Sequence, residues 1–369
     1  MTQDNTPALR IRRHAIVWSA GILLIVLILW VLKGVLLPFV AGFALAYLLD
    51  PLADKLARTG LGRTLSALLI LIGSVLVLGL IGALVVPLLA EQFQAFMRDL
   101  PGYIDRVREL ATGPISWVRG TFGGQLGSVN EAAGQIVNQG ANWLTSVLGG
   151  VLAGGAALIS VASLLVVTPV VAFYMLVDWD RMVTTVDSWL PLQNRDTIRR
   201  LAREMNNAVA GFIRGQAIVC LALGVMYAVG LTLVGLNFGL LIGLGAGIIS
   251  FVPYVGTLTG FLVGTGVALA QFWPDYFSIG AVMAVFAVGQ FIEGNILQPN
   301  LVGRQVGLHP VWLMFALFAF GGLFGFVGVL LAVPLAAAIA VLMRFALGQY
   351  KESSLYTGAQ PVRAKKRRA

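Results

Sequence analysis

The chain has 369 residues, of which 58% are hydrophobic and only 11% charged, with a formal net charge of +9. A soluble domain carries about 25% charged residues, so this composition excludes an ordinary globular enzyme and implies a polytopic all-α membrane protein. The apolar runs do not alternate as barrel strands would. The positive charge clusters at the ends, in Arg10, Arg12 and Arg13 and in Arg363, Lys365, Lys366, Arg367 and Arg368. Basic segments flanking apolar spans stay in the cytoplasm, so both termini are expected there and no nucleic-acid partner is implied. The single cysteine, Cys220, excludes an internal disulfide.

In chain order, residues 1–14 form a cytoplasmic tail and residues 15–90 the first membrane helices. Ala15 to Leu32 is too long for a cleavable leader and is read as an uncleaved span. Lys33-Gly34 turns the chain, Val35 to Leu49 returns, and Asp50-Pro51 is expected to end that helix, because the residue before proline avoids the α region. Lys55, Arg58 and Arg63 then mark a cytoplasmic loop before the span Thr64 to Leu89.

Residues 91–143 read as an extracytoplasmic helical region, slightly acidic and amphipathic. Phe93, Phe96, Met97 and Leu100 recur at helical spacing, Pro101 suits the first turn of a second helix, and Ser128 with Glu131 suits the start of a third. A solvated helical insertion explains the region without any partner. Residues 144–178 cross back, and residues 179–215 form a cytoplasmic amphipathic linker. Its helix, Arg195 to Gly215, carries Ile198, Leu201, Met205 and Phe212 on one stripe. That stripe fits the membrane surface, or a cytoplasmic neighbour that includes a second copy of the chain.

Residues 216–345 are expected to hold a transport core with broken helices, followed by a basic disordered tail at 346–369. Gly239, Gly243 and Gly247 recur every four residues, Pro253-Tyr254-Val255-Gly256 interrupts, and Gly256, Gly260 and Gly264 resume the spacing. Such ridges let helix backbones approach closely. A broken helix at membrane depth exposes backbone groups that only protein or water can satisfy, and transporters place substrates there. A second interrupted segment runs from Trp312 through Gly321-Gly322 and Gly325 to Pro334. Glu293 lies between the two, flanked by Gln290, Asn295, Gln298, Pro299 and Asn300. A carboxylate at bilayer centre costs about 2.5–3.5 kcal/mol, so it faces a cavity or a partner. A helix end already in water is the plainer explanation; a solute or ion pathway is the one its polar flank favours. The candidate pathway residues are therefore Glu293, Gln290, Asn295, Gln298, Asn300, Pro253, Tyr254, Gly256 and Pro299. His309 before Pro310 reads as a helix cap, and Asp275 after Trp273-Pro274 as an interfacial turn.

Several stretches together resemble the autoinducer-2 exporter family, also called PerM-like permeases. They are Leu37 to Pro51, Phe173 to Asp178, Gly211 to Gln216, Phe251 to Gly256, Glu293 to Gly303, Leu308 to Pro310 and Leu331 to Pro334. The resemblance runs roughly from Trp18 to Phe345. It implies an oligomeric bacterial inner-membrane transporter with about eight hydrophobic segments. Family members are associated with export of the quorum-sensing signal autoinducer-2, and others with exchange of sodium or lithium for protons.

No metalloprotease, nucleophile-elbow or phosphate-loop signature is present, so neither an enzyme nor ATP-driven transport by this chain is expected. No cofactor and no metal are expected. The expected partners are the lipid bilayer, a small polar solute or a monovalent cation and proton, and further copies of the chain. The reading is a secondary exporter of a small polar solute; a sodium (lithium)/proton antiporter using Glu293 and a non-transporting envelope scaffold are the alternatives.

Overall fold

The computed structural model describes residues 21, 24, 26–122, 155–253, 255–303, 309–353 and 356. Most of the expected first span, the helix start at Ser128 and Glu131, Tyr254, and the basic tail lie outside them. The described residues contain helices and no strands. The helices are α1 (Leu36–Ala57), α2 (Arg63–Phe122), α3 (Gly155–Ser188), α4 (Arg195–Leu233), α5 (Gly239–Ile249), α6 (Val255–Phe272), α7 (Tyr276–Ile292) and α8 (Pro310–Glu352). A short 3-10 turn, Leu192–Asn194, joins α3 to α4, and a π-helix, Glu293–Gly303, continues α7. Seven segments among the described residues are long and apolar enough to cross a membrane. The protein is a multi-pass membrane protein of the all-α class.

Three boundaries differ from the sequence expectation. Helix α1 runs through Asp50-Pro51 to Ala57 instead of stopping. Proline at that position leaves the carbonyl of Tyr47 without its helical donor. Arg214 Nε supplies the missing hydrogen bond at 2.8 Å, which lets the helix continue. Helix α2 extends unbroken for 60 residues, through Pro101, where a new helix was expected. Helix α4 carries the amphipathic segment from Arg195 straight into the apolar run ending at Leu233.

The chain divides into two compact units. One holds residues 1–46, 164–209 and 307–369. Within it, α8 doubles back on itself. Gly325 adopts φ 62° and ψ −140°, a backbone conformation open only to glycine. Ala316 then packs in one cluster with Ala332 and Ala336, residues that a straight helix would hold about 25–30 Å apart. The first arm, 310–324, is about 22 Å long and so falls short of the ~30 Å hydrocarbon thickness. The expected second broken segment is thus a hairpin, and of the glycines named in it Gly325 makes the bend. His309 caps its start, accepting from the Val311 N–H at 3.3 Å.

The other unit holds residues 47–163 and 210–306. Helix α5 has 11 residues, about 16 Å, too short to span. It joins α6 through residues 250–254, where the Pro253 break was expected. These two helices form the other broken hairpin. Its glycines fit against neighbouring backbone. A Cβ on Gly243 would collide with the main chain at Tyr227 and Ala228 of α4, and one on Gly247 with Gly224. Gly260 and Gly264 face Ala246, Ile242 and the ring of Phe286.

Candidate functional site

Four buried polar residues of the second unit, Gln216, Ser250, Thr257 and Glu293, gather around the α5–α6 break. Helix α7 ends as Glu293 begins the π-helix, whose wider winding is rare and concentrates at functional sites. Glu293 is 4% exposed. It is the only buried carboxylate among the described residues. Its Oε2 accepts a hydrogen bond from Thr257 Oγ1 at 2.9 Å. Because that hydroxyl proton is committed to the carboxylate, the 3.4 Å contact between Tyr227 and Thr257 has the Tyr227 O–H as donor. A directed chain results: Tyr227 on α4 to Thr257 on α6 to Glu293.

Close packing creates this chain. Gly289 has no side chain to obstruct the Tyr227 ring, and any Cβ there would strike it. Tyr227 is fully buried and its ring lies 4.9 Å from that of Phe286. Gly256 sits against the Ser250 N–H, Ser250 Oγ and Ala246 carbonyl, so the turn after α5 closes only with glycine there. On the same face of α4, Gln216 is fully buried and donates from Nε2 to the Ser250 carbonyl at 2.6 Å, while its Oε1 has no partner. Gly215 beside it lets the π-helix carbonyl of Leu301 approach α4.

The arrangement is rich in acceptors: a carboxylate, the Gln216 amide oxygen and the Ser250 carbonyl. It can take a proton, a small cation, or the hydrogen-bond donors of a polar solute. Among the described residues no three His, Cys, Asp or Glu side chains come close enough to hold a metal.

The residues singled out from the sequence divide. Glu293, Pro253 and Gly256 are buried at the break. Gln290, Asn295, Pro299 and Asn300 are exposed and Gln298 is half-buried; Asn295 donates to the Phe291 carbonyl of its own helix at 3.0 Å. Tyr254 lies outside the described residues. Sequence reasoning missed Thr257, Tyr227, Gln216 and Ser250. The one available signal was the set Gln216, Cys220, Tyr227, which recurs at i, i+4 and i+11 on one face of an otherwise apolar helix.

A second polar cluster ties α1 and α2 to α4. Arg63 donates to Asp54 and to Asp50 Oδ1, the latter at 3.0 Å. Arg214 lies 3.6 Å from Asp50 Oδ2. Along α4, this charged cluster precedes the Tyr227 hydroxyl by about 20 Å.

The family model for the "AI-2E family transporter" matches residues 20–348. The chain is 31% identical over 319 residues to "Putative transport protein YrrI" of Bacillus subtilis (strain 168), covering 85% of this chain and 87% of that protein. It is 31% identical over 316 residues to "Putative permease PerM" of Escherichia coli (strain K12), covering 85% and 87%. It is 28% identical over 346 residues to "Putative transport protein MT0215" of Mycobacterium tuberculosis (strain CDC 1551 / Oshkosh), covering 90% and 91%. With the match spanning both broken hairpins and the Glu293 segment, this chain belongs to the AI-2E transporter family.

Proposed function

We propose that the protein is a secondary exporter of a small polar solute, with an autoinducer-2-like signal as the solute class that its family suggests. It would act as a homo-oligomer in the bacterial inner membrane, with both termini in the cytoplasm. The observation that carries this reading is the buried Glu293 at a helix break, held by a hydroxyl chain and, among the described residues, in no ion pair. A carboxylate kept for structure alone is usually neutralised by a basic partner. Glu293 instead keeps acceptor capacity for something that comes and goes. Pro253, Gly256 and the α5–α6 break would supply the movable backbone, and Gln298 the half-buried polar flank.

The same observation favours one second reading, a sodium (lithium)/proton antiporter, because a lone carboxylate can exchange a proton for a cation. Flux from proteoliposomes, with and without a proton gradient, separates the two. In an antiporter, Glu293→Gln abolishes coupled flux while the melting temperature stays near wild type. In an exporter of a neutral solute, Gln retains much of the flux and Glu293→Ala loses it, since Thr257 is left without its acceptor. Wild-type flux through Glu293→Ala in a folded protein overturns both readings. Absence of any flux from wild-type protein leaves the scaffold alternative.

A further inference from the structure

At the C-terminal end of α4, remote from Glu293, the second unit holds a cleft of about 350 Å³. That is the small end of the ~300–1,000 Å³ range of small-molecule sites. One wall is α2, which presents Asp99, Tyr103 and Arg106 at i, i+4 and i+7 on a single face. Asn237, in the α4–α5 turn, and Gln271, at the end of α6, form the other wall.

The walls are fixed by bonds among themselves. Asn237 Nδ2 donates to Tyr103 Oη at 3.1 Å, the Asn237 N–H to Gln271 Oε1 at 2.8 Å, and Gln271 Nε2 to the Gly235 carbonyl at 2.9 Å. The turn is held at some conformational expense. Phe238 adopts φ 61°, a left-handed backbone that a phenylalanine rarely takes. Its ring is gripped edge-on by Phe96 at 5.4 Å and Tyr103 at 6.2 Å. Strain of this kind persists where the surroundings over-determine a position, and it clusters at ligand clamps.

The charges in the cleft are not spent on each other. Asp99 and Arg106 are about 10 Å apart along the helix. Among the described residues Asp99 forms one ion pair, with its exposed sequence neighbour Arg98 at 3.1 Å, an arrangement that water readily replaces. Arg106 is exposed. A carboxylate and a guanidinium at opposite ends of a small polar cleft, with a phenol and an amide between them, match a ligand that carries both charges at its two ends.

We propose that this cleft binds a small extended zwitterion of the ω-amino-acid class, its carboxylate on Arg106 and its ammonium on Asp99. Tyr103 and Asn237 line the middle and orient the chain between the two charges. The site is separate from the Glu293 chain: Asn237 lies about 15 Å beyond Tyr227 along α4.

The test is saturation-transfer NMR on the full-length protein in lipid nanodiscs, with γ-aminobutyrate as the probe. Butyrate and butylamine, each keeping one of its charges, are the comparators. The expected result is binding of γ-aminobutyrate at least about tenfold tighter than of either comparator. Arg106→Gln should remove that advantage over butylamine, and Asp99→Asn the advantage over butyrate. Both side chains are on the surface, so both variants should melt with wild type. No signal from γ-aminobutyrate, equal binding of the three probes, or indifference to both substitutions overturns the proposal. Because binding is read at equilibrium with no gradient, its failure leaves the transport reading of Glu293 standing, and a loss of flux leaves this site standing.

Discussion

Thr257 is the residue on which the buried carboxylate depends, and its hydroxyl has a measurable value. Thr257→Val keeps the shape but removes the donor, leaving Glu293 Oε2 without this hydrogen bond and the Tyr227 O–H without its acceptor. The expected cost is about 1–3 kcal/mol, read as a lower unfolding midpoint in detergent, whereas Thr257→Ser should stay within about 1 kcal/mol. Equal midpoints for Val and wild type would show that the chain carries no stability. Asp275 offers a pH-dependent counterpart outside the membrane spans. Its carboxylate caps α7, accepting from Ser278 Oγ at 2.6 Å and from the Phe277 and Ser278 N–H groups. The Ser278 hydroxyl bond, with the two backbone bonds, holds the Asp275 carboxyl below its ordinary value of 3.8. A depressed carboxyl stabilises the folded state above the unfolded value and loses that contribution as pH falls through the folded value. Asp275→Asn should therefore lower the melting temperature at neutral pH, and the gap to wild type should close as the pH is taken below that of a free aspartate. A gap that widens on acidification would refute the cap's role. How much of this was legible varies by residue. Glu293 stood out because a charge in an apolar run is conspicuous. Thr257, Tyr227 and Gln216 did not, because an uncharged polar residue on a membrane helix gives no hint of which helix it faces.

The broken hairpins rest on glycines that do two different jobs, and paired substitutions separate them. At Gly243 the constraint is space. Gly243→Leu should cripple assembly or flux, because the α4 main chain occupies the place of its side chain, while Gly73→Leu should be tolerated, since nothing lies within 4 Å of a Cβ there. Equal effects would reduce the glycine ridge to composition. At Gly325 the constraint is conformation. Nothing crowds a Cβ at Gly325 or at Gly322, yet only Gly325 has positive φ. Gly325→Ala should cost about 1–3 kcal/mol of strain, and Gly322→Ala, in ordinary helix, should be neutral or mildly stabilising. Matching melting curves for the two variants would mean that the hairpin bends elsewhere. The spacing of glycines announced the first of these constraints in the sequence. For the second, the sequence marked Gly321, Gly322 and Gly325 as the interruption without singling one out, since nothing local marks which glycine turns left-handed. The π-winding after Ile292 has no propensity signal at all. The continuity of α2 through Pro101 was hidden for the opposite reason: proline is a strong local breaker signal, and here the helix overrides it.

At the scale of the whole second unit, two anchors join α2 to α4. At one, Asp50 takes Arg63 of α2 and Arg214 of α4; at the other, Tyr103 of α2 receives Asn237 just beyond α4. Between these anchors α2 has about 60 Å of helix, whereas α4 and its turn supply only about 35 Å. A difference of that size is more than side-chain reach alone would cover, and would call for a lean or curve of α2. Pro87 is a natural place to yield, because it leaves the Ala83 carbonyl without a helical donor. On that reading the pair would work as a bow and its string, with α4 the string and the Asp50 cluster one nock. Cutting that nock should let the bow relax. In Asp50→Asn, spin labels placed at Leu80 and Asp105 should move apart or sample a broader range of distances than in the parent protein, and an unchanged distribution would mean that α2 carries no load. If it does relax, the charged cluster and the zwitterion cleft are the two ends of one spring. A ligand that tightens its grip at one end would then be felt at the other without any group in between changing its protonation.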